Sequence, residues 1–135
     1  MKKLIYYSFL LFVSCEFYDR KLKIINEKTS EICYIITYDT LAGDRNNFAY
    51  YLRKSIPMND SVNEINMSGQ KGWKHSIERS KSGKLFMYVY SKDSLIKFAA
   101  LYKDVNDLNS MRKYYRLYSY SLEELEKLNW TIIVQ

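Results

Sequence analysis

KLFMYVY, residues 84–90, decides how the rest of this chain is read. Leu85, Met87 and Val89 alternate with Phe86, Tyr88 and Tyr90, so an extended backbone presents apolar or aromatic side chains on both faces. A strand covered on both faces sits centrally in its sheet. Upstream, KLKIINE (21–27) and EICYIITYD (31–39) also read as strands, and the polar Lys28-Thr29-Ser30 between them predicts an antiparallel hairpin as the opening unit. Downstream, Asp93 or Ser94 starts a helix to about Lys103 with Leu95, Phe98, Ala99 and Tyr102 on its apolar side. Residues 104–110 read as a polar connection and 112–119 as a returning strand.

Ser121-Leu122-Glu123-Glu124 has the form of a capping box, in which the Ser hydroxyl and the Glu carboxylate each satisfy a backbone amide of the other's residue. The helix it opens, through Leu128, is expected to bury Leu122, Leu125 and Leu128. WTIIV (130–134) closes the chain as a strand apolar on both sides, inserted into the sheet. Between the first two strands and residue 84 the pattern is weaker. Residues 41–47 look like a loop, and 48–54 fit a short helix or a strand equally. Pro57 interrupts the ladder, residues 60–67 suit an exposed edge strand, and residues 73–80 suit a short helix with Trp73 and Ile77 on one face. The pattern implies an α+β domain: a mainly antiparallel sheet opened by an N-terminal hairpin, with two or three short helices on one face.

MKKLIYYSFLLFVSC, residues 1–15, concerns location. Lys2 and Lys3 precede about ten apolar residues, the length of a signal-peptide core and half that of a bilayer-spanning helix. Ser14-Cys15 then resembles the lipobox of bacterial lipoproteins, with Phe12 departing from the usual aliphatic residue three positions before the cysteine. The resemblance implies cleavage after residue 14, lipid attachment at Cys15 through a thioether and acyl chains that include palmitate, a tether at 15–20, and one domain at 21–135. Residues 16–20 reach roughly 15–18 Å when fully extended, so the domain is expected beside the membrane.

The 21 Lys and Arg against 15 Asp and Glu give +6, which falls to +4 once Lys2 and Lys3 leave with the signal. These cations are scattered and never form a run of five, so nucleic acid is not an expected partner. With Cys15 acylated, Cys33 has no cysteine to pair with and reads as a buried core thiol.

From residue 84 onward the succession KLFMYVYSKDSL, RKYYRLYSYS and SLEELEKLNWTII, with the earlier KLKIINEKTSEICYIITYD, resembles short uncharacterised lipoproteins and hypothetical proteins of Bacteroides and its relatives. The resemblance implies a lipid-anchored envelope protein, at the outer membrane and facing either the periplasm or the surface. It carries over no functional residue.

No catalytic constellation is apparent. His75 is the single histidine and reads as a surface residue, no HExxH, CxxC or Gly-rich phosphate loop occurs, and Asp39, Asp44 and Asp60 read as ordinary loop acids. No enzyme activity, metal or cofactor is expected. The 14 tyrosines are the compositional excess. Strand alternation would place Tyr114, Arg116, Tyr118 and Tyr120 on one face, suited to an envelope protein partner. The alternative is a module that binds a small glycan-like ligand on that face. An immunity-type protein fits the size and address without support from any residue.

Overall fold

The computed structural model describes residues 17–39 and 46–135; Cys15, Asp44 and the segment around them lie outside the described residues. Two sheets form an α+β fold. The first, in the order β4-β1-β7, joins β1 (Lys23–Asn26), β4 (Ser61–Asn63) and β7 (Thr131–Val134). The second, in the order β3-β2-β5-β6, joins β2 (Ile32–Thr37), β3 (Ser55–Ile56), β5 (Lys84–Ser91) and β6 (Arg116–Ser121). All pairings are antiparallel except β1 with β7.

The two sheets turn apolar faces toward each other. Leu22, Ile24, Ile132 and Val134 from the first meet Ile32, Tyr34, Leu85, Met87 and Val89 from the second. Helix α2 (Gly72–Arg79) adds Trp73 and Ile77, and α5 (Leu122–Lys127) adds Leu125. The opposite face of the second sheet carries Cys33, Ile35, Tyr88 and Tyr90, covered by α1 (Phe48–Arg53), α3 (Lys92–Ala99) and α4 (Val105–Ser110). Strand β5 therefore lies between two cores, as its double-faced pattern requires, with Leu85, Met87 and Val89 in one and Tyr88 and Tyr90 in the other.

The expected opening hairpin does not form. β1 and β2 have the expected positions but belong to different sheets, each flanked by other strands. At the corner between them stands Asn26, the fully buried last residue of β1. Its side-chain amide donates to the carbonyls of Ser30 (2.9 Å), Ile56 (3.0 Å) and Pro57 (3.0 Å), while its Oδ1 accepts the Lys28 amide (3.0 Å). The link that resembles a hairpin turn is thus a corner between sheets, tied to β3 by one side chain.

Other local readings also shift. The connection at 104–110 is helix α4, capped by Asp104, whose carboxylate accepts the amides of Asn106 and Asp107, and it buries Val105 and Leu108. Ser91, rather than Asp93 or Ser94, caps α3. The capping box at Ser121 and Glu124 is present in full, but only Leu125 of α5 is fully buried and Leu128 is exposed. Among the described residues five helices stand on both sides of the second sheet, where two or three on one face were expected.

Residues 17–20 are anchored by Asp19. Its backbone exchanges two hydrogen bonds with Asn66, each 2.9 Å, and its carboxylate accepts the Trp73 amide in the first turn of α2. The Trp73 indole donates to the Asp19 carbonyl (3.0 Å). Gly72 permits this approach, since a Cβ there would lie 2.4 Å from Asn66 Oδ1.

Two outcomes follow for stability. Asn26→Ala leaves buried carbonyls without donors, so chemical denaturation should show a loss of about 1–3 kcal/mol. Burial pushes the Cys33 thiol from its ordinary 9.0 up to about 11, and Tyr34, Tyr38, Tyr88, Tyr90 and Tyr120 are likewise raised by burial. Each raised group contributes stability that is complete below its unfolded value and is lost as pH rises. The folding free energy should hold level to about pH 9 and decline above it, and Cys33→Ala should delay the onset of that decline.

Candidate functional site

The two sheets are pinned by Asn26 where β1 ends and β2 meets β3. Between them, at the α1 side, is a cleft of about 460 Å³ beside an outer groove of about 600 Å³. Tyr50, Lys54, Glu64, Ile65 and Met67 border both, so the two lie side by side and together make up the recess. Tyr34 and Tyr38 of the second sheet, with Trp73 of α2, supply the inner walls. Tyr18 and Arg20 border the outer groove.

Glu64 is the polar centre of this recess. It follows β4, where its amide donates to the Leu22 carbonyl (2.8 Å) and its side chain turns inward. One carboxylate oxygen accepts the Tyr34 hydroxyl and the other accepts Lys54 Nζ at 2.9 Å. The Lys54 ammonium also lies 5.5 Å from the centre of the Tyr34 ring and 5.6 Å from that of Tyr50. Burial first, and the Glu64 carboxylate second, push the Tyr34 hydroxyl far above its usual range, so Tyr34 remains a donor. Asn66 continues the polar floor, donating to the Tyr38 hydroxyl (3.2 Å) and to Ser76 Oγ (3.1 Å).

The recess thus combines aromatic rings with a carboxylate, an ammonium and an amide, each held by a neighbour. Tyr38 and Tyr50 are partly exposed to it, whereas Tyr34, Tyr51 and Trp73 are buried behind. Rings of this kind offer stacking surfaces, and the fixed polar atoms offer directional hydrogen bonds.

The tyrosine face expected from sequence does not assemble as one surface. Arg116, Tyr118 and Tyr120 do share a side of β6: the Arg116 guanidinium lies 5.6 Å from the Tyr118 ring centre, and the Tyr118 and Tyr120 rings stack 6.2 Å apart. Tyr114 lies on the other side, edge-on to Tyr88 at 5.1 Å and packed on the α1, α3 and α4 core. Bends at residues 114 and 115 break the alternation before β6 begins at Arg116. Tyr118 and Tyr120 in turn pack against the core between the sheets.

His75 is exposed on α2, and Asp39 and Asp60 are exposed. Cys33 is buried. Among the described residues no group of three or more His, Cys, Asp or Glu is placed to hold a metal, and no helix is long and apolar enough to cross a membrane. Comparison with protein-family models, curated proteins and solved structures returns no match.

The Tyr34 and Lys54 bonds to Glu64 differ in worth. Tyr34→Phe removes a buried donor from a charged acceptor and should cost about 1.5–3 kcal/mol in a denaturant titration. Lys54→Met removes a partly exposed ion pair and should cost under about 1 kcal/mol.

Proposed function

We propose that this chain is a lipid-anchored binding module of the cell envelope, non-enzymatic, whose recess between the two sheets receives a small glycan-like ligand. The observation that carries the reading is the join of partly exposed Tyr38 and Tyr50 with the fixed Glu64, Lys54 and Asn66 in one cleft. A sugar presents a weakly polar ring face and a rim of hydroxyls, which such a surface matches. The location rests on residues 1–15, with Lys2 and Lys3, the apolar core and Ser14-Cys15, and on the resemblance to envelope lipoproteins.

The groups in the cleft favour binding over chemistry. Tyr34 holds its proton too firmly to act as a base near neutrality, and both Glu64 oxygens are engaged by donors. A protein contact through the expected tyrosine face would rest on Arg116, Tyr118 and Tyr120, since Tyr114 lies apart from these three.

The test is an NMR titration of the protein with a panel of mono- and disaccharides. At least one member should produce saturable shifts at Tyr38, Tyr50, Glu64 and Asn66, and Tyr50→Ala should weaken it about tenfold, the loss of roughly 1.4 kcal/mol expected when a stacking ring is removed. A panel that leaves these residues unmoved, or shifts that survive Tyr50→Ala unchanged, would refute the site.

A further inference from the structure

The outer groove ends on an apolar rim beside the point where the chain meets its tether. The antiparallel bridge of Asp19 with Asn66 buries those two side chains, so Tyr18 and Arg20 on one segment, and Ile65 and Met67 on the other, fall on the opposite, outward side. All four border the same groove. Met67 is 75% exposed, Phe17 71%, Ile65 46% and Tyr18 41%. Met67, Ile65 and Tyr18 thus set three large exposed apolar side chains around one groove, with Phe17 next to Tyr18 in the chain, and such a cluster marks a contact surface.

From this geometry we infer that the rim docks on the bilayer interface, so that the recess opens toward the membrane. The inference rests on the anchorage of Cys15 proposed above. Two peptide units separate Cys15 from Phe17, a reach of at most about 7 Å, and three separate it from Tyr18, at most about 11 Å. An acylated Cys15 lies at the headgroup level, so Phe17 and Tyr18 are held within the thickness of the interface whatever path the tether takes. Asp19, locked to Asn66 and Trp73, then fixes the orientation of the domain behind them.

The chemistry of the rim suits that level of a bilayer. Tyr is an interfacial side chain, and Phe, Ile and Met add apolar area that lipid can cover. Arg20, which borders the same groove with its guanidinium 5.8 Å from the centre of the Tyr18 ring, can meet lipid phosphates at that level. Docking adds a second attachment to the acyl chains and brings the mouth of the recess to ligands carried at the membrane surface.

The test uses the full-length protein, purified from membranes and reconstituted in vesicles of phosphatidylethanolamine and phosphatidylglycerol. Cys33 is buried and Cys15 acylated, so Met67→Cys and Leu101→Cys each provide one accessible thiol for an environment-sensitive fluorophore. Leu101 follows α3, on the far layer of the fold, and is 73% exposed. The label at 67 should emit as in an apolar medium and lose its emission when shallow doxyl-lipids are included, while the label at 101 should remain water-like and unquenched. Water-like emission at both positions in protein whose intact mass shows acylated Cys15 overturns the docking and leaves the anchor standing. An unmodified Cys15 overturns the anchor and the docking with it. Shielding at 67 that grows with protein density and ignores the lipid quencher assigns the rim to a second copy and overturns the membrane contact.

Discussion

The side-chain amide of Asn26 is the interaction on which the architecture depends. A fully buried amide is tolerated only where its donors and acceptor are used, and here they are used at the place where the chain leaves one sheet for the other. Because the amide binds the carbonyls of Ser30, Ile56 and Pro57, residues 27–31 cross between layers, and β1 is left to pair with β4 and β7. The parallel pairing with β7 carries the last strand back beside the first, and the Glu27 amide extends it by donating to the Val134 carbonyl (2.9 Å).

The corner at Asn26 holds the two sheets face to face. Apolar side chains fill the space between the sheets, and a polar clasp joins Tyr34 from one sheet, Glu64 from the strand end of the other, and Lys54 from the turn after α1. Burial makes the clasp specific, because a carboxylate placed there must find donors and the tyrosine must keep its proton. The same groups that reconcile the two sheets electrostatically also furnish the recess with fixed polar atoms. The structural role and the proposed binding role coincide at these residues for one reason: both require a polar group held rigidly within an aromatic surround.

What the sequence discloses here is local, and what it conceals is not. Residues 84–90 reveal a central strand because alternation records both faces of one strand, and Ser121 with Glu124 reveals a helix start because the two partners are three residues apart. Cys33 reads correctly as a core thiol from its apolar neighbours. The hairpin reading fails because Asn26 looks like any polar residue at a strand end, while its partners at Ile56 and Pro57 stand some thirty positions away. Helix α4 is six residues long, too short for periodicity to register, although Asp104 before Val105 carries its cap. The recess draws Tyr34, Tyr50, Glu64 and Trp73 from separate elements, so no spacing could join them, and the tyrosine face at 114–120 is misread because two bends precede β6.

The corner and the recess both follow from the placement of β1 and β2 in different sheets, with β1 parallel to β7. Inter-strand nuclear Overhauser effects in isotope-labelled protein test it most directly. The account predicts backbone contacts that link Lys23 and Ile24 to the neighbourhood of Thr131 and Ile132 in parallel register, with none of the ladder contacts of a hairpin between β1 and β2. A continuous antiparallel ladder between β1 and β2 would contradict it.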